Sequence, residues 1–434
     1  MRLYLIAVGG VLLSLLVGCG QTSEPTDSVQ AEQPEERRST ESAVAPSGQS
    51  RSLAVSTVSM TKQPDDSQRE ASAKATTPKG IATWSLSEIT RLRAAPTPDD
   101  PKAVAAYRRD RNKQIVNLAT QAISATHAEP RLANQFNAAV HQLMETQLEL
   151  ALLGRPDDID ALFDAVRDLE DSHPDSKAAE EAGFTLARYT HANARRFAAV
   201  NPETLFEFSR QARIYADMYP SRVDRAAPVL YAAARSCEKQ AQRVGDLAIR
   251  KRLRNETRLC YIALKTNFAG VHQGVVATAV LRRLNLAGRK LTEFGGPTLD
   301  GRRAEIERLR GRVAVLVFWS SENEGLNQNI DGLISTLSRH SPDDVYLLGV
   351  NMDATHQAAE DYVQEHGLPG KHIFFAGEDE QRWENPIVRY WGVQDIPSIW
   401  IVDQVGTVVT TDATFKNLGE QLLELTRAGR RSSN

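Results

Sequence analysis

The chain has 434 residues, enough for two or three domains that each have a hydrophobic core. Its hydrophobic fraction of 41% and charged fraction of 25% are those of ordinary globular proteins. The net charge of −3 lacks the basic excess of a nucleic-acid-binding protein, so we expect no nucleic-acid partner.

The N-terminus has the pattern of a secretion signal. Arg2 supplies a positive charge, and the apolar segment Leu3 to Val17 is too short for a membrane-spanning helix. The sequence Leu16-Val17-Gly18-Cys19 resembles a bacterial lipobox, which implies a lipoprotein signal peptide over residues 1–18 and lipidation of Cys19. The alternative is an ordinary signal peptide in which Cys19 occurs by chance. We therefore expect an envelope lipoprotein that Cys19 anchors to a membrane, facing the periplasm.

Residues 19–82 are predicted to form a disordered tether. They are rich in Ser, Thr, Pro, Gln and Glu and contain no aromatic residue. Such a segment cannot bury enough apolar surface to offset the conformational entropy lost on ordering.

Residues 83–290 are predicted to form an all-α domain. The sequence Asn201-Pro202 predicts a helix start, with Asn201 as N-cap and Pro202 at the first helical position. Apolar residues recur every three or four positions and predict helices over Val104 to Thr126, Leu132 to Leu153, Ile159 to Leu169 and Ala178 to Val200.

A repeat runs through this helical region. A ring-bearing residue just before a short break recurs at spacings of 46, 46 and 49 residues, in the pairs Thr126-His127, Ser172-His173, Met218-Tyr219 and Asn267-Phe268. The pattern resembles tetratricopeptide-like helix pairs of envelope lipoproteins, although the period is longer than usual. The resemblance implies a solenoid-like array that binds protein segments. A compact helical bundle without a partner is the alternative.

Two thiols would remain once Cys19 is lipidated. Cys237 and Cys260 lie on apolar stripes of neighbouring predicted helices, at similar heights if the chain turns near residues 245–247. A structural disulfide, two buried core thiols and a reactive pair all stay open. The nine histidines are scattered without the spacing of metal ligands, so we expect neither a metal nor a cofactor.

The pattern changes to mixed α/β structure after Phe294. A strand is predicted around Thr298 to Gly301, then a short helix and the buried central strand Val313 to Trp319. A helix from Asn323 to about His340 follows. The remaining predicted elements are strand Val345 to Asp353, helix Gln357 to His366, strand His372 to Ala376, a hairpin at Asp403 to Gly406 between two strands, and helix Gly419 to Arg427.

The stretches "VAVLVFWS" and "YWGVQDIPSIWIVD" resemble the periplasmic TlpA-like thioredoxins. The resemblance implies a thioredoxin fold over residues 291–430, with Ile396-Pro397 as the cis-proline loop opposite the active-site helix. The predicted fold class is therefore α+α/β: an all-α helix-pair repeat (solenoid-like) domain followed by a thioredoxin-fold α/β domain.

The redox centre of that family is missing. Its two cysteines fall on Asn323 and Leu326, and neither side chain can form or resolve a mixed disulfide.

The turn itself fits a capping box, with Ser321 as N-cap and Glu324 reaching back. The carboxylates of Glu322 and Glu324 complement the positive end of the helix dipole. The sequence thus predicts a site rebuilt for helix stability.

We expect a non-catalytic protein that binds or presents another protein. The contact surfaces would be the groove between the turn at residues 321–326 and Pro397, and the helical array. A thiol–disulfide oxidoreductase, acting through Cys237 and Cys260 or with a thiol-bearing partner, is the first alternative. A purely structural envelope component is the second.

Overall fold

The computed structural model describes residues 77–432. The predicted signal peptide, Cys19 and most of the predicted tether lie outside these residues. The described part divides between Asp164 and Ala165 into two compact units, and each unit is treated by itself below.

The first unit is helical. It contains α1 (Pro78–Ala94), α2 (Pro101–Thr126), α3 (Ala133–Ala151) and the first half of α4 (Pro156–Ser172). The tether boundary at residue 82 was placed too late, because α1 already begins at Pro78. Thr77 caps this helix by accepting a hydrogen bond from the Gly80 amide at 3.1 Å, and Pro78 suits the first helical position.

The second unit begins with more helices, each packed against the next. They are α5 (Lys177–Phe197), α6 (Glu203–Met218), α7 (Val223–Arg243), α8 (Leu247–Asn267) and α9 (His272–Leu284). Helix α6 starts one residue later than predicted, although the Asn201 side chain does accept a hydrogen bond from the Glu203 amide at 3.2 Å.

The predicted repeat is confirmed as a repeat of helix pairs. Helices α2, α4, α6 and α8 end at the first residue of the four ring-bearing pairs: Thr126, Ser172, Met218 and Asn267. The ring-bearing residue follows directly as the C-cap in three of them: His127, Tyr219 and Phe268. The solenoid-like shape of the array stays a prediction.

A five-stranded mixed sheet follows in the second unit, in the order β5-β4-β3-β6-β7. Its strands are β3 (Val313–Trp319), β4 (Val345–Asn351), β5 (Lys371–Ile373), β6 (Ser398–Val402) and β7 (Val408–Ala413). Strand β4 pairs in parallel with both β3 and β5, whereas β6 pairs antiparallel with both β3 and β7.

Strand β3 lies at the centre of the sheet and is buried along its whole length. Its residues alternate between two hydrophobic cores: Ala314, Leu316 and Phe318 face one, and Val313, Val315, Val317 and Trp319 face the other. A two-sided core of this kind explains why the sequence shows a continuous apolar run here. The predicted α+α/β fold class is confirmed.

Helices pack on this sheet. They are α10 (Glu324–Asn327), α11 (Ile330–Ser338), α12 (His356–His366), α13 (Pro386–Trp391) and α14 (Phe415–Ser432). The helix predicted from Asn323 to His340 is therefore two helices with a break. Helix α13 was not predicted; the Asn385 side chain caps it by accepting hydrogen bonds from the Ile387 and Val388 amides at 3.0 and 3.3 Å.

The strand predicted around Thr298 to Gly301 is wrong. These residues form the turn of a small hairpin between β1 (Gly295–Pro297) and β2 (Arg303–Glu305). Gly301 has a φ of +73°, a left-handed conformation that suits a turn and that other residues adopt at a cost.

Candidate functional site

The candidate site lies where β3 ends and the chain turns into α10. The buried carboxylate of Asp353, just beyond β4, determines this turn. Its Oδ1 atom accepts hydrogen bonds from the Ser320 hydroxyl at 2.6 Å, the Ser321 amide at 2.9 Å and the Ser321 hydroxyl at 3.0 Å. Its Oδ2 atom accepts one from the Asn351 amide group at 2.7 Å. The turn is thus tied to the neighbouring strand by a carboxylate whose acceptor sites are filled.

The predicted capping box is wrong. The Ser321 hydroxyl donates a hydrogen bond to Asp353, and α10 begins only at Glu324, so Ser321 is not at the N-cap position. The N-cap is Asn323, whose Oδ1 atom accepts a hydrogen bond from the Leu326 amide at 2.9 Å. Glu322 and Glu324 are exposed to solvent on either side of it.

Asn323 also holds the loop opposite. Its Nδ2 atom donates a hydrogen bond to the Ile396 carbonyl oxygen at 3.0 Å. The Ile396-Pro397 peptide bond is cis, as predicted. Pro397 lies so close that a Cβ atom on Gly325 would approach its Cδ atom to 3.2 Å. One amide side chain therefore joins the start of α10 to the cis-proline loop.

Leu326 has a different role. Its side chain is fully buried in the core that also contains Trp319 and Ile330. The residue predicted to stand in place of the second cysteine is therefore a core residue.

A cavity of about 310 Å³ opens beside Pro397, and we call it the cis-proline cleft. Gly325, Asn329 and Pro397 line it. Of the site residues predicted from the sequence, Pro397 lines the cleft, whereas Ser321, Glu322, Asn323, Glu324 and Leu326 do not. Its apolar part is formed by Val393, Ile399, Ala413 and Phe415.

Three residues of the helical region form another wall of this cleft: Glu238 and Gln242 of α7 and Arg283 of α9. Sequence reasoning missed them. The signal was present, because Glu238 directly follows Cys237 on the apolar stripe of α7, where an ionisable residue requires a buried partner.

Cys237 and Cys260 are free thiols, and each is 0% exposed within one hydrophobic core of the helical region. The Cys260 Sγ atom lies 3.2 Å from the Ser209 Oγ atom. Burial raises the pKa of both thiols. The disulfide alternative is not formed in this structure, and the arrangement is that of two buried core thiols.

Comparison with known proteins defines the class of the C-terminal domain. Residues 311–408 match the family model described as thioredoxin-like. They contain β3, α10, the cis-proline loop and β6. The C-terminal domain is thus a thioredoxin-like domain.

Two sequence relatives narrow this class. The chain is 22% identical over 137 residues to the thiol-disulfide oxidoreductase ResA of Bacillus thuringiensis (strain Al Hakam) and, equally, to that of Bacillus anthracis. Each match covers 32% of this chain and 72% of the relative. The domain is thus similar in sequence to two thiol–disulfide oxidoreductases.

Solved structures with similarity to this chain include two from Bacteroides. The thioredoxin domain of a thiol-disulfide oxidoreductase from Bacteroides vulgatus is 15% identical, with a TM-score of 0.30, and the match covers 32% of this chain and 97% of that domain. A thiol-disulfide oxidoreductase from Bacteroides fragilis is 18% identical, with a TM-score of 0.28, and the match covers 32% of this chain and 99% of that protein.

Proposed function

We propose that this protein is an envelope lipoprotein whose thioredoxin-like domain does not exchange disulfides and instead binds or presents another protein. The observation that carries this proposal is Asn323. At the position of the attacking cysteine, its side chain caps α10 and binds the cis-proline loop.

The chemistry of disulfide exchange supports the proposal. A thiolate must attack a disulfide sulfur, and a helix N-terminus lowers the pKa of a thiol placed there. Here an amide occupies that position, and Leu326 leaves no thiol to resolve an intermediate. Cys237 and Cys260 are poor substitutes, because both are fully buried and burial raises their pKa values.

The cis-proline cleft supports a binding role. Both apolar and polar side chains line it, and a concave site of this composition is typical of ligand recognition. A bound segment would lie against Pro397 between the start of α10 and the end of β7.

The envelope location and the lipid anchor at Cys19 rest on the N-terminal sequence pattern. In residues 77–432, no helix is both long and apolar enough to cross a membrane. Anchoring through Cys19 can be checked by mass spectrometry of the full-length protein from a bacterial host, where a lipidated N-terminal cysteine has a characteristic added mass.

Reduction of insulin by dithiothreitol tests the redox part of the proposal. The native protein is expected to leave the rate at the uncatalysed background. The variant Asn323→Cys with Leu326→Cys restores a thiol at the helix N-terminus and is the positive control, expected to exceed the background. Catalysis by the native protein would overturn the proposal.

A thiol–disulfide oxidoreductase is the second candidate, and homology to ResA is the observation that favours it. It would need Cys237, Cys260 or a thiol from a partner. The insulin assay separates it from the first candidate, and the variant Cys237→Ala with Cys260→Ala identifies the thiol source.

A purely structural envelope component is the third candidate and predicts that unstructured peptides do not bind.

A further inference from the structure

We propose that the pocket between α11 and α14 is a binding site for a phosphate group, carried either by a soluble compound or by the headgroup of an anionic phospholipid. We call it the α11-α14 pocket. Residues of α11 and of the turn after it line one side, and residues of α14 line the other. The pocket shares no residue with the cis-proline cleft, so the inference does not rest on the proposed function.

The packing of the two helices leaves space for such a group. Leu333 and Leu337 of α11 and Leu418 and Leu422 of α14 belong to the same hydrophobic core. Gly419 lines the pocket and adds no side chain to it. The volume of the pocket is about 280 Å³. One water molecule needs only about 10–15 Å³ of such space, so a phosphate group fits together with several waters.

The lining of the pocket is positively charged. Of the residues that the structure describes, Arg339, His340 and Arg427 bring ionisable side chains to the pocket, and no carboxylate lines it. Glu420 and Glu424 also belong to α14, but both are exposed and neither lines the pocket. Since guanidinium groups stay charged at every physiological pH, the two arginines attract an anion.

The hydrogen-bond donors of this lining are not used elsewhere in the described part of the chain. There, the side chains of Arg339, His340 and Arg427 make no hydrogen bond and no ion pair. The arginine that lines the cis-proline cleft differs, because Arg283 donates to the buried Glu238 carboxylate. A ligand can therefore use the donors of the α11-α14 pocket without breaking an existing contact.

Helix dipoles explain only part of this arrangement. Arg339 is the C-cap of α11, where a positive charge complements the negative end of the helix. Arg427 lies five residues before the end of α14 at Ser432, outside the last turn in which that effect acts. The dipole of α14 therefore does not account for the presence of Arg427 in the same pocket as Arg339.

The donors match a phosphate better than a carboxylate. Each guanidinium group has five N–H donors in a planar fork, and the His340 ring has at least one N–H in either protonation state. The hydroxyl of Thr336, which also lines the pocket, can add another donor. A phosphate offers at least three acceptor oxygens to donors on both sides of the pocket, whereas a carboxylate offers two. Arginine is favoured in phosphate recognition because its fork forms paired hydrogen bonds.

Leu423 distinguishes the two sources of the phosphate. It lines the pocket and is 44% exposed. A phospholipid would place the carbons next to its headgroup against this side chain, whereas a soluble phosphate compound does not need an apolar contact.

Protection of arginine from phenylglyoxal tests the site in the full-length protein. Peptide-resolved mass spectrometry follows the reaction of Arg339 and Arg427, and Arg289, which is exposed and does not line the pocket, is the internal reference. The probes are inorganic phosphate and dihexanoyl phosphatidylglycerol below its micelle concentration, with sodium chloride added to keep the ionic strength constant. At about four times the Kd of a probe, we expect Arg339 and Arg427 to react about fivefold more slowly, as mass action requires, and Arg289 to react at an unchanged rate.

Three variants, compared by calorimetric titration, locate the binding. Arg427→Gln removes one guanidinium group and should weaken the binding of inorganic phosphate about tenfold, since a hydrogen bond to a charged group is lost. Arg289→Gln removes the same charge outside the pocket and is the matched control, expected to leave the affinity unchanged. If a lipid headgroup is the source, Leu423→Ser should weaken the binding of the phosphatidylglycerol and leave that of inorganic phosphate unchanged.

Tighter binding of the phosphatidylglycerol than of inorganic phosphate would support the inference with a lipid headgroup as the source, and the reverse order would support it with a soluble phosphate compound. Unchanged reaction rates of Arg339 and Arg427 with both probes would overturn it. Equal slowing of Arg289, or equal weakening by Arg289→Gln, would also overturn it, because the anion would then bind to the overall surface charge and not to the pocket.

Discussion

Asn323 uses both ends of its amide. The oxygen accepts from the Leu326 amide, and the nitrogen donates to the Ile396 carbonyl. A cysteine at this position could offer only a weak donor and a weak acceptor through one sulfur atom. Asn323 thus bridges α10 and the cis-proline loop.

Two substitutions of Asn323 distinguish its N-cap hydrogen bond from its hydrogen bond to the cis-proline loop. Asn323→Ala should lower the free energy of unfolding by about 2 kcal/mol, since it removes an N-cap and a hydrogen bond worth about 1 kcal/mol each. Asn323→Ser keeps a good N-cap but is too short to reach Ile396, so it should lose only about 1 kcal/mol. Urea denaturation measures both, and equal losses would contradict a separate role for the Ile396 contact.

His372 is a buried histidine whose surroundings affect its protonation. It lies in β5, 4% exposed, with its ring edge-on to Trp319 at a centroid distance of 5.4 Å. A Cβ atom on Gly349 would lie 2.2 Å from the His372 Nδ1 atom, so this packing requires glycine in β4. Burial lowers the pKa of His372 from 6.5 to about 4.

A lowered histidine pKa predicts loss of stability in acid. The folded protein keeps His372 neutral, whereas the unfolded chain takes up a proton below pH 6.5. Stability is therefore fully present above about pH 6.5 and falls progressively toward pH 4, by about 2 kcal/mol at pH 5. Urea denaturation at pH 7 and pH 5 should show this loss in the native protein and a smaller one in His372→Phe. Identical pH dependence in the two proteins would exclude His372 as the cause.

Elements with a strong local pattern were predictable. The bounds of β3 match the prediction residue for residue, because an apolar run ends at a polar turn. The helix ends of the repeat also match, since each coincides with a break in the apolar spacing.

Features that depend on distant residues were not predictable in this way. Ser321 fits a local capping rule, yet Asp353 lies 32 residues away and takes its hydroxyl. The β1-β2 hairpin has three residues in each strand, too few for a periodic pattern to identify. The contact between α7 and the cis-proline loop joins Arg235 and Asp395, which are 160 positions apart in the sequence.

The glycines that end helices α12 and α13 differ in their surroundings. Gly392 and Gly367 both cap helices in the left-handed conformation, with φ values of +59° and +62°. A Cβ atom would collide with α9 at Gly392 and meet nothing within 4 Å at Gly367.

Gly367→Ala should therefore cost only backbone strain, about 1 kcal/mol. Gly392→Ala should cost a further 1–3 kcal/mol or so, because α13 and α9 must move apart. Thermal and urea denaturation of the two variants provide the comparison. Equal destabilisation would mean that the contact between α9 and the loop is not tightly packed.

At the scale of the whole molecule, the boundary between the two compact units does not coincide with the change from helices to mixed α/β structure. The switch from helices to mixed α/β structure falls between α9 and β1, near the predicted boundary at residues 290–291, but helices α5 to α9 belong to the same compact unit as the sheet. Two arginines of the helices give the physical reason. The Arg235 guanidinium of α7 donates a hydrogen bond to the Asp395 carboxylate at 2.6 Å, and the Arg283 Nε atom of α9 donates one to the Gly392 carbonyl oxygen at 3.3 Å. The buried Glu238 carboxylate accepts hydrogen bonds from both guanidinium groups. A thioredoxin-like domain is thereby merged with part of the helical repeat.

Glu238→Gln tests this merging. The substitution keeps the side-chain shape but leaves buried guanidinium groups without their carboxylate, so it should lower the free energy of unfolding by about 3 kcal/mol or more. Glu203→Gln, in an exposed pair, should change it by less than about 1 kcal/mol. Hydrogen exchange should show α7 and residues 392–398 losing protection together in Glu238→Gln. Loss confined to α7 would contradict the merged unit.

We infer that this thioredoxin-like domain works without a reactive thiol. Differential alkylation of the full-length native protein, equilibrated in glutathione buffers between roughly −300 and −200 mV and read by peptide mass spectrometry, tests it most directly. We expect Cys237 and Cys260 to stay unlabelled at every potential and to react fully as free thiols only after denaturation. Labelling of either thiol in the native state, or a disulfide between them that titrates in this range, would contradict it.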